Sequence, residues 1–236
     1  MISSSEGDKN MIVEACKKKM SYKAVLFDLD GTLLNTLEDL CDAMNRVLSK
    51  KGFPTHKLND YRYFVGNGAS TFVTRALPEQ ERNNHTISAC LKAYKKEYSL
   101  NWNVKTKPYR GIPEMLNELT KRGIKMAILS NKPDKFTKQC VAELLPSWTF
   151  DIVLGQRDNV PHKPDPTGAL EVIERLRIPA KDFLYLGDTD VDMQTAAAVK
   201  MFSVGVLWGF RSQEELKENG ACALIKHPKE IQNFLD

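Results

Sequence analysis

Asp28 and Asp30 stand two residues apart in Asp28-Leu29-Asp30-Gly31-Thr32, directly after the apolar run Ala24, Val25, Leu26 and Phe27. A β-prone run that ends in acids and a glycine reads as a buried strand giving way to a sharp turn. Open α/β sheets bind ligands in the crevice beyond the carboxyl ends of their strands, so both carboxylates would face a bound ligand. The competing reading is an Asx-type turn that only closes the strand.

Further candidates follow along the chain. Ser130 comes after the apolar run Met126 to Leu129, within Leu129-Ser130-Asn131-Lys132. Lys163 lies in His162-Lys163-Pro164-Asp165-Pro166, and Asp188 and Asp192 belong to Gly187-Asp188-Thr189-Asp190-Val191-Asp192 after Phe183 to Leu186. Taken alone, a serine at a strand end is a turn residue and a lysine among prolines is a solvated charge. Brought to one crevice, they add a hydroxyl, a positive point charge and two more acids.

The elements that must position these groups are short apolar strands, expected at Lys23 to Phe27, Met126 to Leu129, Ile152 to Leu154, Phe183 to Leu186 and Phe202 to Leu207. Helical stretches separate most of them. Ile112 to Arg122 repeats Ile112, Met115, Leu116 and Leu119 at spacings of three and four, with Pro113 in the first turn and Gly123 past the end. Thr167 to Arg177 carries Leu170, Val172, Ile173 and Leu176 as apolar positions. Strands alternating with helices predict an α/β fold, a doubly wound, Rossmann-like parallel sheet covered on both faces.

Between Leu37 and Lys107 the strand signal stops. Leu37, Leu40, Cys41, Met44, Val47 and Leu48 follow helical spacing up to Gly52, and further helices are expected near Gly68 to Leu77 and from Asn83 to Tyr98. An insertion of this length is too long for a loop. The expected organisation is an N-terminal extension over 1–21, an α/β core formed by 22–36 with 108–236, and a small all-helical domain over 37–107.

Taken in order, the DxDGT motif at Asp28, Ser130, Lys163 and the Asp188–Asp192 motif resemble the haloacid dehalogenase superfamily of phosphotransferases. The resemblance covers Lys23 to about Gly209. It implies an enzyme acting on a small-molecule phosphate ester with Mg2+ as cofactor. Asp28 would be the nucleophile that forms an aspartyl-phosphate, and Asp30 the acid and base. The metal ligands implied are Asp28, the backbone carbonyl of Asp30 and Asp188, with Asp192 supporting them. Ser130, Asn131 and Lys163 would bind the phosphoryl group. The turn Gly66, Asn67, Gly68 would reach the site from the helical insertion, which is similar to a cap. The chemistry requires such a set, because an anionic ester repels a carboxylate nucleophile until a cation offsets the charge.

An insertion placed between the first and second motifs resembles the branch holding phosphoglycolate phosphatases, β-phosphoglucomutases and dehalogenases. Dehalogenases lack the second aspartate, so Asp30 points to phosphoryl chemistry. FVGNGAS, KPYRGI, SNKPDK and HKPDP are most similar to phosphoglycolate phosphatases, although Arg110 stands where many of them carry proline. A sugar phosphomutase, or a phosphatase for other sugar phosphates or nucleotides, is the alternative. A non-catalytic scaffold would have lost a nucleophile or ligand, and none is lost.

Composition narrows the remaining classes. The 236 residues have a mean hydropathy of −0.39 and no run of 18 apolar residues, which leaves no membrane span. Met1 to Met20 lacks the apolar stretch of a secretory signal. Five dispersed cysteines without a CxxC pair fit a reducing cytoplasm better than a disulfide framework. The net charge of +4, with no block of five like charges, gives no nucleic-acid footprint. Residues 37–107 hold 12 Lys and Arg against 7 Asp and Glu, a basic surface that could also attract small anions. His56, His85 and His227 are isolated, His162 reads as a loop residue, and Trp102, Trp148 and Trp208 read as packing residues.

Overall fold

A computed structural model describes residues 22–235. The extension expected over 1–21, and Cys16 within it, lie outside the described residues. The centre of the molecule is a six-stranded sheet whose paired strands all run parallel. Its strands are β1 (Ala24–Phe27), β4 (Lys125–Pro133), β5 (Ile152–Gln156), β6 (Phe183–Gly187), β7 (Phe202–Val206) and β8 (Ala223–Ile225). Their order is β5-β4-β1-β6-β7-β8. The chain moves outward from β1 through β4 to β5, then crosses back to β6 on the other side of β1. The order therefore reverses beside β1, which opens a crevice at the carboxyl ends of β1, β4 and β6.

β1 is buried along its whole length because helices cover both faces of the sheet. Val25 and Phe27 point into one core cluster with Ile112, Met115, Leu116 and Leu119 of α5 (Ile112–Lys121). Ala24 and Leu26 point into the other, with Ala169 and Val172 of α7 (Thr167–Leu176) and Ala196 of α8 (Asp190–Ala198). Truncating fully buried Phe27 to alanine would cost about 3–5 kcal/mol.

Two local expectations need correction. β4 does not end at Leu129: it runs through Ser130, Asn131 and Lys132 to Pro133, with a register shift between Leu129 and Pro133 after which Pro133 pairs with Gln156. A bulge there lets the strand continue and re-aims its side chains. Leu170, expected on the apolar face of α7, is 51% exposed. That helix instead turns Gly168, Ala169 and Val172 inward, and a Cβ on Gly168 would stand 2.7 Å from Leu129 Cδ1.

From Leu37 to Asn101 there is no strand. The segment comprises α1 (Leu37–Lys50), α2 (Leu58–Phe64), α3 (Gly68–Ala76), a short 3-10 turn and α4 (Asn84–Asn101). α1 packs along α4 and buries the apolar stripe read from its sequence. Cys90, Tyr94 and Tyr98 form the buried face of α4 at spacings of four. A chain of aromatic contacts runs from Tyr61 through Phe72, Tyr94 and Tyr98 to Phe136 of α6 (Asp134–Leu144), with centroids 5.0–5.7 Å apart. At the base, β2 (Leu34–Asn35) pairs antiparallel with β3 (Lys107–Pro108). Buried Asp39 ties the same linkers together by accepting from the N–H groups of Lys105 and Thr106 and from Thr106 Oγ1 at 2.7 Å. Among the described residues no helix is long and apolar enough to cross a membrane. α9 (Gln213–Glu218) completes the regular helices.

Candidate active site

Asp28 follows the last residue of β1, and its N–H donates to the carbonyl of Leu186 in β6, so the strand ladder itself fixes where the nucleophile candidate emerges. Gly31 then takes φ +92°, and a Cβ there would sit 2.2 Å from Asp188 Oδ2. Only glycine meets both the backbone and the space requirement. The turn that follows brings Thr32 Oγ1 to 2.9 Å from Asp188 Oδ1, while the N–H of Phe210 donates to Asp188 Oδ2 at 2.8 Å.

The carboxylates of Asp28, Asp188 and Asp192 converge, each offering an oxygen within 4.8 Å of the others. Lys163 lies among them, buried, with its ammonium 2.9 Å from Asp28 Oδ1, 2.7 Å from Asp192 Oδ1 and 2.9 Å from the carbonyl of Leu129. Its three donors are thereby used. Asp192 is equally committed, because it also accepts from Tyr185 OH and from the N–H and hydroxyl of Thr189. Asp28 and Asp188 keep free lone pairs.

Burial pushes the Asp28 carboxyl up, Lys163 opposes that and Asp192 adds to it, so its pKa rises from 3.8 to about 7. Burial, then repulsion from Asp28 and Asp192, holds Asp188 well above the ordinary range. For Lys163 burial favours the neutral amine, but Asp192 and Asp28 outweigh it and hold the ammonium charged. Fully ionised, three buried acids against one lysine would leave an excess of two negative charges; burial and that repulsion together raise Asp28 and Asp188 while no cation is bound. The donors are all hard oxygens, and the residues present fit a divalent cation of the magnesium kind.

Asp30 separates from this cluster. Its oxygens lie 3.1 and 3.3 Å from the ammonium of Lys132, which also donates to Tyr98 OH at 2.8 Å and stands 4.8 Å from the centre of that ring. Burial works against the charged form of Lys132, and Asp30 together with Tyr98 and other neighbours more than offsets it. No role for Lys132 or Tyr98 is readable from the sequence, since the pair joins positions on β4 and α4.

Ser130 and Asn131 leave β4 buried at the same crevice. Asn131 is a three-way junction: its amide donates to the carbonyls of Gly66 at 2.9 Å and Lys163 at 3.0 Å, and its carbonyl accepts from the N–H of Lys163 at 2.8 Å. Gly66 and Gly68 line a cavity of about 80 Å3 together with Asp28, Asp30, Ser130 and Lys163. Asn67, between them, is the N-cap of α3 and does not line it. A Cβ on Gly68 would meet the ring of His162 at 2.7 Å, which places that loop histidine under the turn. Leu40, Phe72, Tyr94, Tyr98 and Phe136 form apolar walls on the side of the helical insertion.

Residues 25–206 match the family model for haloacid dehalogenase-like hydrolases. The chain is 31% identical over 223 residues to a phosphoglycolate phosphatase of Pseudomonas savastanoi pv. phaseolicola, covering 91% of this chain and 80% of the relative. It is 33% identical over 211 residues to one of Nitrosospira multiformis, covering 87% and 92%. Its backbone superposes with a TM-score of 0.86 on a crystal structure from Lactobacillus delbrueckii subsp. bulgaricus attributed to a phosphoglycolate phosphatase, at 30% identity and over 92% and 99% of the two chains. With the motifs gathered at one crevice and the match spanning most of the sequence, the chain belongs to the haloacid dehalogenase-like hydrolase family and is a phosphatase similar to the phosphoglycolate phosphatases of that family.

Proposed function

We propose that the enzyme hydrolyses a small anionic phosphate monoester, with 2-phosphoglycolate as the first candidate, through an aspartyl-phosphate on Asp28 and with magnesium as its cation. The observation that supports this most is the charge arrangement at the cavity floor. Asp28 and Asp192 face Lys163 at one end of a space of about 80 Å3, and Asp188 converges on the two acids from behind. The names carried by the relatives favour phosphoglycolate.

Asp28 and Asp188, with the backbone carbonyl of Asp30, would hold the ion, while Asp192 steers Lys163. Bound magnesium would offset the charge of the phosphoryl oxygens facing Asp28. Asp28 attacks phosphorus as the ester oxygen departs, and Asp30 gives that oxygen its proton. Asp30 then takes a proton from water, which attacks the phosphorus, frees Asp28 and releases inorganic phosphate. Ser130 binds the phosphoryl group, Lys163 adds its positive charge beside it, and Asn131 holds Gly66 and Lys163 in place. Residues 37–107 act as a cap over the core made of 22–36 and 108–236, and the turn at Gly66, Asn67 and Gly68 closes on the bound ester to exclude water.

Phosphate release from a panel of 2-phosphoglycolate, other small phospho-acids, sugar phosphates and nucleotides tests this. The expected result is magnesium-dependent release with the highest kcat/KM on small acids. Preference for sugar phosphates or nucleotides would overturn the substrate reading, and undiminished release after chelation would overturn the metal. Conversion of glucose 1-phosphate into the 6-phosphate without net phosphate release would point to the mutase instead.

A further inference from the structure

Besides Lys163, which sits inside the carboxylate cluster, Lys132 is the buried cation of the cavity wall. Lys95 also lines the space, but it is exposed. The Lys132 side chain is 4% exposed, and its ammonium lies between Asp30 and Tyr98, both of which line the cavity. Its contacts to the two Asp30 oxygens, 3.1 and 3.3 Å, are longer than the 2.7–2.9 Å of tight charge-assisted bonds. Phe72, Tyr94, Tyr98 and Phe136 form an aromatic collar on the same side. A positive charge set in apolar walls attracts an anion more strongly than one in water does.

Asp30 is the group placed beside the leaving oxygen, so an anionic substituent one or two bonds beyond that oxygen would enter the space that Lys132 faces. We propose that Lys132, steadied by Tyr98, is the specificity-determining residue that reads the carboxylate of a phosphoryloxy acid. The inference rests on the reading of the site as a phosphatase for small acids and adds the residue that makes the choice. Asp30 and the substrate carboxylate then share one ammonium, and an uncharged alcohol of the same size leaves that attraction unused. Because Lys132 also holds Asp30, it influences every substrate; its selectivity shows only in a ratio.

The test compares 2-phosphoglycolate with ethyl phosphate, which replaces the carboxylate by a methyl group. The wild type should favour the acid in kcat/KM. Lys132→Met should shrink that preference roughly tenfold to a hundredfold, the range of one charged hydrogen bond, chiefly through KM, and Lys132→Arg should restore part of it. Should Lys132→Met fail to fold, Lys132→Gln serves, and the wild type alone supplies a second measurement. With magnesium present, 3-phosphonopropionate should inhibit more tightly than propylphosphonate. A wild-type preference that survives in Lys132→Met or Lys132→Gln overturns the inference and leaves the substrate reading standing. A wild type that turns over both esters without preference, or binds both phosphonates alike, overturns the two together.

Discussion

Arg62 of α2 donates from Nε to the carbonyl of Phe210 at 3.0 Å, and the N–H of that same Phe210 donates to Asp188 at 2.8 Å. The insertion and an acid of the central cluster thus grip one residue from opposite sides. Arg62 also reaches the carbonyl of Gly209 at 2.5 Å, and Arg211 answers by donating to the carbonyls of Arg62 and Val65. Two arginines from opposite segments each bind backbone carbonyls of the other's segment.

Loss of this clasp should therefore be felt at the metal as well as at the substrate. Arg62→Ala is expected to raise KM several-fold and to weaken the apparent magnesium affinity, with a smaller change in kcat. Titration of activity with magnesium, alongside calorimetric binding of the ion, checks it. An unchanged magnesium affinity would show that the segment closes without touching Asp188.

Lys163 has a different job, because it is the one cation between two buried acids. Lys163→Met should destabilise the metal-free protein by about 3–5 kcal/mol, the usual cost of leaving a buried charge without its partner. Denaturant unfolding measures it, and magnesium should recover part of the loss. A variant as stable as the wild type would mean that Asp28 and Asp192 do not depend on the lysine for their charge.

The raised pKa of Asp28 sets a pH dependence. Its folded value of about 7 exceeds the unfolded 3.8, so the folded protein holds a proton that the unfolded chain releases. Without metal, this carboxyl's contribution to stability is present below about pH 4 and is lost as pH rises through about 7. Magnesium needs ionised carboxylates, and Asp188 is raised in the same direction, so the Tm gain on adding it should be small near about pH 5 and grow as pH rises through about 7. Thermal scans across that window test the sign; a gain that fell with rising pH would contradict it.

Much of this arrangement was legible because strand ends are local events. The apolar run before Asp28 and the runs before Ser130 and Asp188 announced themselves by composition, and order along the chain supplied the grouping. The pairings were not local. Lys132 meets Asp30 across 102 residues, and Lys163 meets Asp28 across 135, so nothing near either lysine states its partner. α2 also escaped notice: seven residues with Tyr61 alone fully buried carry no periodic apolar stripe. Continuation of β4 past Leu129 depends on pairing with β5 after a bulge, which a serine and an asparagine conceal. Leu170 misled because an apolar residue at helical spacing need not lie on the face that packing selects.

The central claim is that Asp28 is the group that attacks phosphorus, and replacing its carboxylate with an amide tests it most directly. Steady-state phosphate release by Asp28→Asn with saturating magnesium should fall to background while thermal unfolding remains cooperative. Magnesium-dependent release within roughly tenfold of the wild type would show that water attacks the ester without covalent help, and would contradict the aspartyl-phosphate route.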